Sequence, residues 1–215
     1  MAPAHDGHRH FIPAAGHDLL LPLYDPLLAL LGADGPKLEL IEQAGITPGM
    51  RVLDIGCGTG TVVVEIARRH DAHVVGLDPD QRALARAQRK ADRAGIYLKL
   101  DQGYSDELPY PDAAFDRVLS SFMFHHLDAE VKAKTLREVR RVLAPGGELH
   151  LLDFGGSAPR SEGLLARFIH SAEDLQENFG GGIAKALGEA GFPEVTETAT
   201  RRTLFGRIAS YRASG

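Results

Sequence analysis

The hydrophobic residues of this chain fall into short runs that alternate with segments of helical spacing. Runs of β-branched and aliphatic residues, such as 51–55 and 73–77, are typical of buried strands. Between such runs, apolar residues such as Val63, Ile66 and Ala67 share one helical face. The pattern predicts strands at 51–55, 73–77, 96–100, 115–120, 148–153, 194–199 and 203–211. It predicts helices at 26–31, 37–44, 61–70, 80–94, 129–143, 164–169 and 183–190.

The order of these elements predicts an α/β sheet with helices on both faces. The last two strands follow each other with only a short link around Arg201 and Arg202, so they are expected to pair as an antiparallel hairpin. Residues 1–35 are expected to form an N-terminal arm and lid helix. Residues 36–215 are expected to form one domain, the one that carries the predicted ligand site.

The first predicted strand leads into a turn with glycine at every second position. These glycines are Gly56, Gly58 and Gly60. Because they carry no side chain, the backbone N–H groups at the start of the next helix can approach a ligand closely. A dinucleotide fingerprint requires a different glycine spacing, and here Thr61 takes the place of its third glycine. Asp54, just before the turn, suits a cationic ligand group, so a sulfonium amino acid fits better than a pyrophosphate.

The composition is that of a globular protein in a reducing compartment. Of the 215 residues 44% are hydrophobic, and the net charge of −5 argues against a nucleic-acid partner, which usually requires a basic face. Cys57 is the only cysteine, so no internal disulfide is expected. No apolar run approaches the ~18 residues of a membrane-spanning helix. We expect a cytoplasmic protein without stable membrane insertion, and the sequence leaves its oligomeric state open.

The N-terminal arm is rich in histidine. Its four histidines are His5, His8, His10 and His17. No cysteine and few acidic residues accompany them, so the pattern disfavours a metal site, and we predict no metal ligands. The arm is interpreted as a flexible segment or as a lid that orders over bound ligand.

Four motifs in the right order resemble those of class I S-adenosylmethionine-dependent methyltransferases, most closely the small-molecule type that methylates quinones and sterols. They are Val52–Gly60, Asp78 at the end of the second strand, Leu108-Pro109-Tyr110 before Phe115-Asp116, and 136–147 with its Pro-Gly-Gly end. The resemblance covers residues 36–154 most strongly. It implies a Rossmann-like seven-stranded sheet of order 3-2-1-4-5-7-6 with strand 7 antiparallel. It also implies S-adenosylmethionine bound at the carboxyl ends of strands 1 to 4, where ligands bind open α/β sheets.

The resemblance assigns cofactor contacts to residues after each of these strands. Asp54 and the glycine turn are expected to hold the methionine part, with Cys57 as a small apolar lining residue, and Asp78-Pro79 to meet the ribose hydroxyls. Tyr104 stands where the family commonly has an acidic residue, so it is expected to stack on or cover the adenine. Asp101 or the Ser105 backbone then supplies the polar contact. Ser121, after strand 4, completes the predicted cofactor set.

His125 and His126 follow strand 4, where the methyl group would be delivered. If the acceptor is a hydroxyl or phenol, either imidazole is a candidate general base, with His125 the stronger candidate. The alternative is that both rings begin the next helix, one packed and one solvated. The neighbouring residues Phe122, Met123 and Phe124 are expected to line an apolar acceptor pocket or to belong to the core.

The segment after strand 4 contains none of the Asn-Pro-Pro-Tyr, Asp-Pro-Pro-Tyr or Pro-Cys motifs of nucleic-acid methylating enzymes. The sequence therefore predicts an enzyme that methylates a small organic acceptor by in-line displacement. Two alternatives stay open: a non-catalytic protein that binds S-adenosylmethionine, and an NAD-dependent oxidoreductase.

Overall fold

A computed structural model describes residues 34–157, 177–203 and 206–215. The first part contains α1 (Asp34–Gln43), β1 (Arg51–Ile55), α2 (Thr61–Arg69), β2 (His73–Asp78), α3 (Gln81–Ala94), β3 (Lys99–Gln102), β4 (Phe115–Ser121), a 3₁₀ turn (Phe124–His126), α4 (Ala129–Val142) and β5 (Leu143–Phe154). The rest contains α5 (Gly182–Glu189), β6 (Glu194–Thr203) and β7 (Gly206–Ser214). The predicted helices at 26–31 and 164–169 and the arm histidines lie outside the described residues. Within these residues, no helix is long and apolar enough to cross a membrane.

The seven strands of the described residues form one sheet in the order β3-β2-β1-β4-β5-β7-β6. The five strands from β3 to β5 in this order pair in parallel, whereas β7 is antiparallel to both of its neighbours. The predicted fold and strand order are therefore confirmed. The carboxyl ends of β1 and β4 lie side by side, because Ile55 pairs with Ser120.

The sheet has a hydrophobic core on each face, since successive strand residues point to opposite sides. Leu53 belongs to the core that packs under α4 and α5, and its neighbour Val52 belongs to the core under α1, α2 and α3. On the second face α1 contributes Leu40 and Ile41, both almost fully buried. Because helices cover both faces of the sheet, the parallel strands appear in the sequence as nearly continuous apolar runs.

Three predicted boundaries differ from the structure. The third strand is Lys99–Gln102 rather than 96–100, because these four residues pair with the end of β2. Pro145-Gly146-Gly147 does end α4 near Val142, but these residues form an irregular part of β5, with a register shift opposite β4, rather than a turn before it. Arg201 and Arg202 lie within β6, where they pair with β7, so the hairpin link is further along the chain than predicted.

Candidate active site at the carboxyl edge of the sheet

A cavity of about 490 Å³ opens at the carboxyl ends of the parallel strands. Residues that follow β1, β2, β3 and β4 line it, together with α1 and the start of α4. The predicted site residues in the lining are Gly56, Cys57, Gly58, Asp78, Pro79, Tyr104, Ser105, Ser121 and His126. Asp54, Gly60 and His125 are not among the lining residues. No cluster of His, Cys, Asp or Glu suited to a metal ion occurs in the part of the chain that the structure describes.

The glycine turn needs its glycines for different reasons. A Cβ on Gly56 would lie 2.3 Å from Met123 Cγ, so this glycine lets the loop after β4 pack on the turn. A Cβ on Gly60 would lie 2.6 Å from the Cβ of Ala87, so this glycine lets α2 and α3 approach each other. Gly58, with a φ of +53°, has no described atom within 4 Å of such a Cβ and leaves the cavity open.

Asp54 is the last polar residue of β1 and is only 1% exposed. Neither of its carboxylate oxygens has a hydrogen-bond partner among the described residues. Burial raises its pKa to about 8, and the positive charge of Lys37 opposes this rise. A buried carboxylate without a partner is costly. Asp54 is therefore suited to receive a cationic ligand group directly or through water.

Asp78 ends β2 and orients the glycine turn. Its two carboxylate oxygens accept the N–H groups of Gly58, at 2.8 Å, and Asp80, at 2.9 Å. Burial raises the pKa of Asp78, while these two hydrogen bonds lower it. Each oxygen keeps a second lone pair, so the carboxylate can also accept hydroxyl groups of a ligand that enters the cavity. Asp80 caps α3 by accepting the N–H of Arg82, as an acid at this position is expected to do.

The residues predicted to contact the adenine lie in β3 and in the loop that follows it. Tyr104 lines the cavity, and the Ser105 hydroxyl is 2.8 Å from the hydroxyl of Thr135. Asp101 is engaged elsewhere, since it accepts the hydroxyl of Tyr110. The acidic residue that does line the cavity here is Asp106, which the sequence reasoning missed although it lies only two residues after Tyr104.

The cavity wall after β4 is mainly apolar. It is formed by Phe122, Met123 and Leu127, beside His126. Phe122 has a φ of +54°, a conformation that a bulky side chain rarely adopts, and its ring packs against that of Phe154 at the end of β5. Phe124 is buried in the core instead. Of the three residues expected to line an acceptor pocket, Phe122 and Met123 are therefore the two that face the cavity.

The two adjacent histidines occupy different environments. His125 is 6% exposed, and its Nδ1 lies 2.6 Å from Oδ1 of Asp153, a fully buried residue of β5. Burial raises the pKa of Asp153, but His125, the backbone N–H of Phe154 and the charge of His126 together hold that pKa below its usual value. His126 lines the cavity, and its ring centroid is 4.0 Å from that of His125. Of the two histidines that the sequence offers as general bases, His126 lines the cavity and His125 does not. Which of them takes part in catalysis stays a prediction.

Sequence reasoning missed two further groups of this site. Asp153 is the polar end of an apolar strand, a signal like that of Asp78, but its partner His125 is 28 residues earlier in the chain. Lys37 lines the cavity from α1, seventeen residues before Asp54 in the chain. Lys37 was within a predicted helix, but nothing local connects it with a site on the sheet.

Comparison with known proteins agrees with the fold. A family model described as a methyltransferase domain matches residues 52–147. A sterol 24-C-methyltransferase from Gibberella zeae is 40% identical over 50% of this chain and 28% of its own length. A demethylmenaquinone methyltransferase from Thermus thermophilus is 37% identical over 69% of this chain and 68% of its own length. A solved S-adenosylmethionine-dependent methyltransferase from Aquifex aeolicus has a TM-score of 0.63 at 19% identity, covering 82% of this chain and 88% of that one.

The seven-stranded sheet and the cavity at its carboxyl edge define a Rossmann-like α/β protein. The chain belongs to the S-adenosylmethionine-dependent methyltransferase family. This confirms the predicted family and its methyl donor. The chain spans less than half of the sterol enzyme, so the relationship concerns the methyltransferase domain.

Proposed function

We propose that this protein transfers the methyl group of S-adenosylmethionine to a small organic acceptor held against the apolar wall of the cavity. The observation that carries this proposal is the buried carboxylate of Asp54, which has no hydrogen-bond partner among the described residues and lies two residues before the glycine turn that lines the cavity. The cofactor supplies an electrophilic methyl group on a sulfonium. The same cavity contains the apolar residues Phe122, Met123 and Leu127, which suit an uncharged acceptor.

The cofactor-binding residues act by holding the donor in one orientation. Asp54 accepts the ammonium of the methionine part, and Asp78 accepts the ribose hydroxyls while its bond to Gly58 fixes the turn. Tyr104 contributes an aromatic surface for the adenine. The thioether leaves without a proton, so alignment of the reacting atoms is the main contribution, worth up to ~7–11 kcal/mol in well-oriented systems.

His126 is the group placed to take a proton from the acceptor. It faces the cavity beside Phe122 and Met123, whereas His125 is buried behind it. Asp153 has a lowered pKa and is ionised at neutral pH, so Nδ1 of His125 carries the proton of their hydrogen bond. His125 is thus a positioning residue that supports the ring of His126. General-base assistance of this kind contributes about 10²–10⁴-fold.

The acceptor is proposed to be a small molecule rather than a nucleic acid. The net charge of −5 and the apolar wall of the cavity support this assignment. We also propose a cytoplasmic location, based on the single cysteine.

Cofactor binding is tested by calorimetric titration with S-adenosylhomocysteine and NAD, on the wild type and on Asp78→Asn. We expect binding of the sulfur compound alone, weakened at least about tenfold in the variant through loss of charge-assisted hydrogen bonds. Binding of NAD alone would contradict the proposal.

Methyl transfer is tested with labelled S-adenosylmethionine and a panel of phenols and hydroquinones. His126→Gln is expected to lower kcat by about 10²-fold or more with unchanged cofactor affinity, as for loss of a general base. His125→Gln should lower it less. His73→Gln, at the exposed amino end of β2, is the matched control. If the cofactor binds but no compound in the panel is methylated, the protein binds S-adenosylmethionine without being a methyltransferase of these phenols and hydroquinones.

A further inference from the structure

Helix α3 carries a row of arginines on its outer side. The arginine row consists of Arg82, Arg86, Arg89 and Arg93. These residues are four, three and four positions apart, so in a helix of about 3.6 residues per turn their side chains share one narrow face. Arg86 is half-buried and the other three are exposed. The opposite face packs on the sheet, and its buried residues are Ala83, Leu84, Ala87 and Ala91. The row is about 16 Å long.

The charges of the arginine row are not neutralised by neighbouring acids. Within the ranges that the structure describes, the side chains of Arg86, Arg89 and Arg93 form no hydrogen bond or ion pair. The acidic residue of the same helix, Asp92, accepts Nε2 of Gln88 at 2.8 Å instead. Like charges three and four residues apart repel each other and destabilise a helix. An anionic surface placed against the row would relieve this repulsion.

The arginine row belongs to a protein whose net charge is negative. Helix α3 contains five basic residues and one acidic residue, whereas the whole chain has a net charge of −5. An anionic surface therefore attracts this helix and repels the rest of the molecule. Such an uneven distribution of charge orients a protein as it approaches a charged surface, and here α3 would face that surface.

An exposed aromatic side chain follows the helix. Tyr97 is 92% exposed, and it is the one large hydrophobic side chain that is exposed in the part of the chain that the structure describes. It comes two residues after Gly95, which ends α3. Tyrosine is enriched where a membrane meets water, because its ring is apolar and its hydroxyl is polar. A helix with several basic residues is typical of proteins that bind anionic lipids.

We propose that α3 binds the surface of an anionic lipid membrane through the arginine row, with Tyr97 at the boundary between lipid and water. The row lines neither the cavity at the carboxyl edge nor the one between α4 and α5, so it lies on the outer side of a helix. A bilayer surface suits such a face, whereas a peptide is usually held in a groove. The contact is peripheral, since exposed charges and one ring carry it. It goes beyond the proposed function and does not depend on it.

The test is co-sedimentation of the protein with lipid vesicles. The probes are vesicles of phosphatidylcholine alone and of equal parts of phosphatidylcholine and phosphatidylglycerol, at low and at high salt. The wild type is expected to bind only the mixed vesicles, and high salt should weaken this binding because it screens the charges. The triple variant Arg86→Gln, Arg89→Gln, Arg93→Gln should bind about 100-fold more weakly, at about fivefold for each arginine.

A second triple variant removes the same charge from the other face of the sheet. It combines Arg137→Gln, Arg140→Gln and Lys185→Gln, at exposed positions of α4 and α5. This control should bind the mixed vesicles within about threefold of the wild type, because charges far from the contact are screened. Glutamine is a good helix former, so both variants should remain folded in chemical denaturation.

The outcomes decide between the membrane and other partners. Failure of the wild type to bind mixed vesicles at low salt would overturn the proposal. Equal losses in the two triple variants would also overturn it, since net charge and not the arginine row would then govern binding. Binding of poly-glutamate or duplex DNA through these arginines, with none to vesicles, would assign the row to a protein or nucleic-acid partner instead. A wild type that binds mixed vesicles but not S-adenosylhomocysteine would contradict only the proposed function.

Discussion

Protonation of Asp54 is expected to control the pH dependence of cofactor binding. Burial raises the pKa of this carboxyl to about 8 in the empty site, so it is mostly protonated at neutral pH. A protonated carboxyl does not pair with an ammonium as an anion does. Binding must therefore ionise Asp54 and release its proton to the solvent.

The size of the effect follows from the pKa of about 8. At pH 7 roughly nine in ten molecules carry the proton, so binding should release about 0.9 proton. Below the pKa, the affinity should fall about tenfold for each pH unit, equivalent to ~1.4 kcal/mol. The useful range is pH 6.0 to 7.5, because it lies below the pKa of about 8, where the affinity depends most steeply on pH.

The assay is calorimetric titration with S-adenosylhomocysteine at several pH values, in phosphate and in Tris. The two buffers differ in ionisation enthalpy, so the difference between the measured binding enthalpies counts the released protons. Asp54→Asn should bind more weakly and without the pH slope. His126→Gln, which removes the imidazole that lines the cavity, should keep the slope. A flat pH profile with no proton release in the wild type would refute this account of Asp54.

Three further predictions concern packing and stability. Gly60→Ala should lower the free energy of unfolding by about 2 kcal/mol, because its Cβ would lie 2.6 Å from that of Ala87, and Ala87→Gly should restore part of the loss in chemical denaturation. Gly56→Ala should lower the affinity for S-adenosylhomocysteine, measured by calorimetry, at least about tenfold, because the added Cβ displaces Met123 from the turn. Adding Met123→Ala should recover part of this affinity. Burial lowers the pKa of His150 to about 4, so as the pH falls the unfolded chain takes up the proton before the folded protein does. The free energy of unfolding should therefore fall by up to about 3 kcal/mol from pH 6.5 to pH 4.

Each of these predictions has its own control. Gly95 also has a positive φ, but no described atom lies within 4 Å of a Cβ placed there, so Gly95→Ala should cost only the backbone strain of about 1 kcal/mol. Equal losses for the two glycines would disprove the contact with Ala87. An unchanged affinity of Gly56→Ala would show that Met123 moves freely. For His150, urea denaturation of His150→Gln should show a smaller loss toward pH 4, and identical pH profiles would disprove its contribution.

The sequence was sufficient for the part of the molecule where structure and function are local. In β1 and the glycine turn, a buried strand, Asp54 and the three glycines lie within ten residues, so their spacing alone restricts the backbone and its ligand. The end of β2 at Asp78 was equally readable, because a polar residue ending an apolar run in a parallel sheet lies at the ligand-binding edge. The strand order came from the resemblance of four such motifs, and the structure confirms it.

The tertiary structure alone decided which side chains complete the site. The two histidines are adjacent in the chain, and only the 3₁₀ turn that contains them determines that His125 turns inward to Asp153 and His126 toward the cavity. The irregular start of β5 depends on pairing with β4, which Pro145-Gly146-Gly147 does not encode by itself. Lys37 lines the cavity because the beginning of α1 lies near the end of β4, where its Nζ is 5.9 Å from the ring centroid of Phe122. Such contacts depend on the packing of distant segments, whereas spacing along the chain specifies only the geometry of neighbours.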